Sequence, residues 1–322
     1  GNDDLQLLKN LKRLGHTSPK YREYLRTQQD TADNAGPDLQ LVWSKKMKKI
    51  MNQIDNSGAA DKLWVVPFTN RSFRFLDLGC CPGGFSTYIL KKNKESTSVG
   101  VSLDPAQGGH PYLLEDALRV RQTVIFADMT TFQLVPNILF ARDFDLVLLD
   151  AHHLRNQTGS SHDLLAISQV LLALLSIKFG GTIVMKLASP DSQYSATMLF
   201  MLDMLSASIQ VHKPYAMHRM QNSFYVIARG VGGKPDRRLY LQNEVIPGLR
   251  RVWECLRQRN RNSGPRNGSG KEGLVVGDLY FIVDKKQLES YGGRLHELCS
   301  CVWKLQATAL ETLFAEMGIH NT

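Results

Sequence analysis

Cysteine is scarce in this chain, and the few present are poorly spaced for cross-linking. Cys80, Cys81, Cys255, Cys299 and Cys301 are all that 322 residues contain. Two are adjacent and no C-x-x-C pair occurs, which argues against a disulfide framework and against a thiolate zinc site. Reduced thiols are the simplest reading, and they suggest an intracellular setting. Long apolar runs are missing too. The longest, LLAISQVLLALLSIKFGGTIVMKL, is broken by Ser168, Gln169, Ser176 and Lys178 and split at Gly180 and Gly181. A bilayer span needs ~20 apolar residues in a row, so a buried helix followed by a buried strand fits better. The opening GNDDLQLLKN lacks the apolar centre of a secretory leader. Cytoplasm or nucleus is the expected compartment, with the mitochondrion open. No internal repeat is visible. Acids are outnumbered, 30 against 39 Lys and Arg, for a net charge of +9. That balance points either toward an anionic partner, nucleic acid being the commonest, or to a basic surface kept for solubility. Aromatic-rich stacking motifs are absent, so the composition names no particular nucleic acid.

What is present is an alternation of short apolar runs with helical segments. The strand candidates are FRFLDLG, SVGVSLD, TVIFADM, FDLVLLD, GTIVMKL, QVHKPYA and SFYVIARG. Most are nearly continuous apolar runs, as expected of strands buried on both faces of a mostly parallel sheet. FSTYILKKN, DLLAISQVLLALLSIK and YSATMLFMLDMLSA read as helices between them. The expected fold is therefore α/β, an open, doubly wound, Rossmann-like sheet of seven strands. The last two strands have no helix between them and are expected to form an antiparallel edge hairpin. Residues 1–39 read as a polar helical extension, 40–232 as the sheet domain, and 233–322 as a basic C-terminal extension packed on it. Within that extension LVVGDLYFIVD looks strand-like, RNSGPRNGSGKEG looks like a loop, and a long helix closes the chain.

The chemistry gathers at one turn. FRFLDLGCCPGGFS is a strand running into a turn of three glycines and a proline. Ligands of open α/β sheets bind beyond the carboxyl ends of the strands, where this turn lies. It is neither the G-x-G-x-x-G of a dinucleotide turn nor the G-K-[ST] ending of a phosphate loop. Gly79, Gly83 and Gly84 are spaced G-x-x-x-G-G, and Asp77 brings a negative charge unwelcome beside phosphates. That charge suits a ligand with an amine or sulfonium cation, as S-adenosylmethionine has. Cys81, Pro82 and Phe85 complete the candidate cofactor turn. Asp104, closing the second strand, is a candidate for ribose hydroxyls. Asp128, closing the third, is a candidate for an adenine amine, with Met129 against the ring. Either acid could instead only cap its own turn.

FLDLGCCPGGFS, FDLVLLD and GTIVMKL, in this order and spacing, resemble the FtsJ-like ribose 2′-O-methyltransferases of RNA, over roughly residues 40–232. The resemblance implies S-adenosylmethionine as cofactor, RNA as partner and a Lys-Asp-Lys-Glu tetrad. It places the Asp at Asp150 and the second Lys, the base, at Lys186. The first Lys falls on the lysine-rich helix before the turn, Lys46 being the better match and Lys45 the next. The Glu is missing: RMQNSFYVIARG keeps Tyr225 but has Ser223 at its place, and no acid lies between Gln210 and Pro235. Three readings stay open. Transfer could run on Lys-Asp-Lys, with Ser223 or Asn222 supplying a hydrogen bond. The acceptor could differ. Or the domain could bind cofactor and RNA without catalysis. Arg237, Arg238, Arg250, Arg251, Arg257 and Arg259 are the candidate RNA contacts. His152, His153 and His162 lack the spacing of a zinc motif, and no metal is expected. The segment after Asp150 reads instead as an acceptor-facing loop, and Gly108–His110 as one that could close over the cofactor.

Overall fold

The computed structural model describes residues 3–67, 71–131, 142–152, 162–262 and 274–320. Seven strands form one sheet: β1 (Phe73–Leu78), β2 (Ser96–Ser102), β3 (Gln122–Phe126), β4 (Phe144–Leu149), β5 (Ile177–Ala188), β6 (Ser208–His212) and β7 (Ser223–Val231). Their order is β3-β2-β1-β4-β5-β7-β6. The pairs β3-β2, β2-β1, β1-β4 and β4-β5 are parallel, whereas β7 runs antiparallel between β5 and β6. Chain order reverses beside β1, so a crevice opens there between β1 and β4.

The helices are α1 (Asp3–Thr17), α2 (Pro19–Asp33), α3 (Pro37–Asn56), α4 (Gly84–Lys92), α5 (Asp116–Arg119), α6 (His162–Ser176), α7 (Gln193–Leu205), α8 (Pro235–Tyr240), α9 (Ile246–Asn262), α10 (Lys285–Ser290) and α11 (Gly292–Met317). They cover both faces, which is why the central strands can be apolar on both sides. On one face α3 and α4 bury Ile50, Met51, Ile54, Phe85 and Ile89 against Phe75, Leu146, Leu148 and Tyr225. On the other, α6, α7, α9 and α11 share one core with Leu8 and Leu11 of α1. The two ends of the chain meet there. The Tyr21 and Phe314 rings lie edge to face at 5.0 Å, and Lys20 Nζ donates to the Met317 carbonyl.

Helix α3 matters most for the site, and its seat is tightly determined. A Cβ on Gly84 would fall 2.4 Å from the Ser44 carbonyl and 2.5 Å from Met47 Cβ, so only glycine lets α3 lie this close to the start of α4. At the other end Asp55, fully buried, accepts from the Val65 and Val66 amides at 2.9 Å each and from the Tyr88 hydroxyl at 2.7 Å. It also pairs with Lys92. A buried carboxylate held this way anchors the helix as it ends.

One expected strand is absent. Residues 274–284 form a short 3-10 turn at Val276–Leu279 and a further bend. Asp278 accepts from the Val275 amide and from Arg259 at 2.9 Å, closing the chain on itself, while Leu279, Ile282 and Val283 pack into the core. Alternation of apolar residues served a turn here. No described helix is long and apolar enough to cross a membrane.

Candidate active site

At the end of β1 the chain turns through Gly79 and Gly83, both with positive φ (91° and 107°). Each glycine has its own reason. A Cβ on Gly79 would meet the Ala151 amide at 2.6 Å, so its smallness lets the turns after β1 and β4 touch. Gly83 precedes α4, whose start has no side-chain cap. Its first amides are therefore open to an anionic group. Asp77 does not face the mouth. It is 1% exposed and accepts at 2.6 Å from Ser86 Oγ, which is in turn bonded by Gln122 Nε2 at 2.7 Å. Burial first of all pushes its carboxyl up to about 7, with the Ser86 bond opposing and Asp150 adding to the rise. Asp77 braces the turn from inside through Ser86. Cys80, Cys81 and Phe85 are likewise buried.

The strand-end acids behave in two ways at once. Asp104 Oδ1 accepts from the Ala106 amide at 2.8 Å. Asp128 Oδ1 accepts from the Thr130 amide at 2.8 Å and its hydroxyl at 2.7 Å. In each case one oxygen caps the local turn and the other makes no hydrogen bond among the described residues. Met129 is buried in the core, so its side chain is committed there. An uncapped helix start and two acids with an oxygen to spare, on three adjacent strands, fit the carboxylate, ribose and adenine amine of S-adenosylmethionine.

Across the crevice lies the acceptor corner. The Asp150 amide donates to the Leu78 carbonyl at 3.0 Å, and its carboxylate is 5% exposed. Lys186 Nζ is 3.3 Å from Asp150 Oδ1, and the Tyr225 hydroxyl donates to that oxygen at 2.9 Å. Lys186 and Tyr225 are opposite one another in the β5-β7 register, so both side chains leave the same face. Burial alone would raise the Asp150 carboxyl. Lys186, then His152, His218 and the Tyr225 hydroxyl, outweigh burial and hold it below its usual value.

Three histidines surround this pair. His152 Nδ1 bonds the Asp150 carbonyl at 3.0 Å. Its ring has an edge open to solvent, yet Lys186 foremost, and its desolvated inner side next, bring it down to about 4. His218 is buried and held at about 4 by desolvation first and by Lys186 next. His110 stands 6.4 Å from the His152 ring and 5.8 Å, edge on, from Trp43 of α3. At neutral pH all three are uncharged rings, His152 and His218 facing both Asp150 and Lys186, and His110 facing Asp150. They do not form a metal cluster among the described residues. His153 lies outside the described residues, and His162 starts α6.

The lysine-rich helix brings Trp43 to the mouth, not a lysine to the pair. Lys45 and Lys46 are exposed, with no hydrogen bond or ion pair to Asp150 or Lys186. Helix α3 is seated with Ser44 and Met47 against Gly84, and Lys45 and Lys46 remain exposed. Ser223 is half-buried, paired with Ala188 and on the same face as Tyr225 two residues on. It borders the site, and its hydroxyl makes no hydrogen bond within the described chain. Among the arginines, Arg250 and Arg251 are exposed, Arg237 and Arg238 half-buried, and Arg257 lies over Trp253 at 4.4 Å. Arg259 holds Asp278. Arg266 and Lys271 lie outside the described residues. Tyr225 was legible from its motif place. His218, in a loop without any pattern, was not.

Comparison with known families matches residues 46–231, more than half of the chain, to the FtsJ-like methyltransferases. The fold is that of a methyltransferase. This chain is a member of the FtsJ-like family, and its cofactor is S-adenosylmethionine. A search of curated proteins finds no match. Among solved structures, a Plasmodium falciparum chain assigned as a ribosomal RNA methyltransferase is 15% identical, with a TM-score of 0.41 over 57% of this chain and 97% of that one. Human methyltransferase-like protein 13, in complex with SAH, is 13% identical, with a TM-score of 0.37 over 74% and 96%. A TehB-like SAM-dependent methyltransferase from Corynebacterium glutamicum is also 13% identical, with a TM-score of 0.36 over 65% and 97%.

Proposed function

We propose that the chain methylates a ribose 2′-hydroxyl of RNA, with Lys186 taking the hydroxyl proton. The observation that carries this is the Asp150–Lys186 pair, 3.3 Å apart beside the cofactor turn. Held by the turn after β1 with Asp104 and Asp128, S-adenosylmethionine would supply an electrophilic methyl group carried on a sulfonium. Everything else is alignment and proton handling, which the chain's own residues provide. Asp150 fixes Lys186 Nζ at the carboxyl ends of β4 and β5. Tyr225 fixes Asp150. The neutral rings of His152 and His218 add no competing positive charge. RNA would approach along α9. Trp253 Nε1 donates to Ser168 Oγ at 3.0 Å, and the Leu274 amide to Asp163 Oδ2 at 2.7 Å at the start of α6. The chain on either side of the basic loop therefore lies at the site's end of the sheet.

A second reading is a cofactor- and RNA-binding domain without transfer, favoured by Ser223 and by an exposed Lys46 that bonds to neither Asp150 nor Lys186. Labelled S-adenosylmethionine and total RNA decide between them. Label in RNA that disappears in Lys186→Ala and Asp150→Asn, and is found on ribose after nuclease digestion, supports the enzyme. Cofactor binding with no transfer by the wild type supports the second reading.

A further inference from the structure

Away from the crevice, at the amino ends of β4 and β5, two guanidiniums share one aromatic ring. Arg142 precedes β4, Phe179 lies near the start of β5, and Arg238 lies in α8, just past the end of β7. Arg142 Cζ is 4.4 Å from the centre of the Phe179 ring, and Arg238 Cζ is 4.3 Å from it. Both arginines and the ring are half-buried. Arg142 is anchored by Nη1, which donates to the Leu174 carbonyl at 3.1 Å as α6 ends, a favourable place for a cation. Arg238 Nε donates to the Gly232 carbonyl at a long 3.5 Å. Neither arginine forms an ion pair with an acid among the described residues. The acids nearest Arg142 in sequence are engaged elsewhere, Asp143 with Arg74 and Asp145 with Lys178 at 3.1 Å.

Like charges gathered without a carboxylate repel one another, and a bound anion removes that cost. Desolvation, and the Arg238 charge after it, already lower the Arg142 pKa, though an arginine stays charged at neutral pH. A guanidinium held over a ring by cation–π attraction keeps its edge free. That edge offers paired N–H donors matched to the oxygens of a phosphate. Arg142 Nε and Nη2 and both Nη atoms of Arg238 make no hydrogen bond among the described residues, so such donors are available. We propose that Arg142 and Arg238, stacked on Phe179, form a phosphate site that holds the RNA strand at the far end of the sheet from the acceptor corner. This rests on the RNA reading above, and one arm of its test does not. Phe179 and Lys186 stand near opposite ends of β5, so roughly 25 Å separates the site from the reacting pair. The helical run from α8 through Leu241–Val245 into α9 starts at this site and exposes Arg250 and Arg251 along its length. A stacked strand rises ~3.4 Å per nucleotide, so only an RNA of about seven nucleotides or more reaches both ends.

The test is fluorescence anisotropy of the full chain with labelled oligouridylates of about 20 and about 4 nucleotides. Arg142→Gln with Arg238→Gln is expected to weaken binding of the longer RNA about tenfold and to make its log–log salt slope shallower by about one. Binding of the shorter RNA should stay within about twofold. Because Arg142 also closes α6, Arg238→Gln alone is measured too, with an expected loss of about threefold on the longer RNA and an unchanged urea midpoint. Unchanged binding of the longer RNA, or equal losses for both lengths, overturns the proposal. The independent arm uses inorganic phosphate as the probe and nitrogen-15 NMR of the arginine Nε–H groups. The Arg142 and Arg238 signals should shift saturably with phosphate in the wild type, and the remaining one should not in either single variant. No shift in the wild type overturns the site. A shift with phosphate, but no loss of RNA binding in the double variant, assigns the site to free phosphate and overturns its role for RNA. If the wild type transfers no methyl to RNA, the proposed function falls, while both arms still decide whether this site binds.

Discussion

The two sides of the crevice are built by different logic. The cofactor turn is contiguous: Asp77 to Phe85 form it, and its brace, Asp77–Ser86, spans nine residues, with Asp104 and Asp128 added from after β2 and β3. The acceptor side is assembled from afar. Asp150, Lys186, His218 and Tyr225 come from β4, β5, a loop and β7, and the Tyr225–Asp150 bond joins residues 75 apart. A contiguous turn keeps its geometry through its own backbone. An assembled corner depends on sheet register and on loops pinned elsewhere. The cofactor side should therefore tolerate damage to its neighbours, and the acceptor side should not.

The sharpest way to break this contrast is Lys186→Ala. Transfer should fall about 1,000-fold in a labelled-methyl assay, while calorimetric cofactor affinity stays within about threefold. Next comes Gly84→Val, which forces a side chain against Ser44 and Met47. Overpacking of about 1–3 kcal/mol should appear as a lowered unfolding midpoint in denaturant. It should also disturb Trp43 fluorescence if α3 is displaced.

Asp77→Asn probes the contiguous side alone. A carboxyl raised in the folded state binds its proton more tightly there than in the unfolded chain. Its contribution is full below the unfolded value near 4 and is lost as pH rises through about 7. The wild type should thus lose on the order of 2–4 kcal/mol between pH 4 and 7.5 through this group. Asp77→Asn should flatten that slope in urea unfolding measured across pH. An unchanged slope would mean that Asp77 is ionised and stabilised in the fold. The smallest effect is expected for Arg250→Ala with Arg251→Ala. RNA affinity should weaken a few-fold, and its dependence on salt should become shallower by about one in log–log slope for each phosphate these arginines neutralise. Cofactor affinity should stay unchanged.

Much of the sheet was legible in the sequence because buried parallel strands must be apolar on both faces. FRFLDLG and FDLVLLD announce themselves for that reason. The strand expected at 274–284 failed because its apolar residues pack without a sheet edge to pair with, while Gly277 and Asp278 favour a turn. In the site, Asp150 and Lys186 could be read from their strand-end positions, and the structure joins them. The roles of the glycines could not. Gly79 and Gly84 are small for the sake of Ala151, Ser44 and Met47, which are distant in sequence from them. Trp43 of α3 meets His110, whereas Lys46 is exposed without a bond to Asp150 or Lys186, and neither outcome follows from the residue pattern of the helix.

The sequence by itself determined the sheet and the cofactor turn, because these depend on local apolar pattern and on residue type, while the Asp150–Lys186 pair followed from the resemblance of its motifs to a family. Tertiary structure alone decided that Asp77 is sealed inside its turn, that Lys46 is exposed without a bond to Asp150 or Lys186, and that His218 stands by Tyr225. Those outcomes depend on burial and on the packing of segments far apart in the chain, which a linear pattern does not encode.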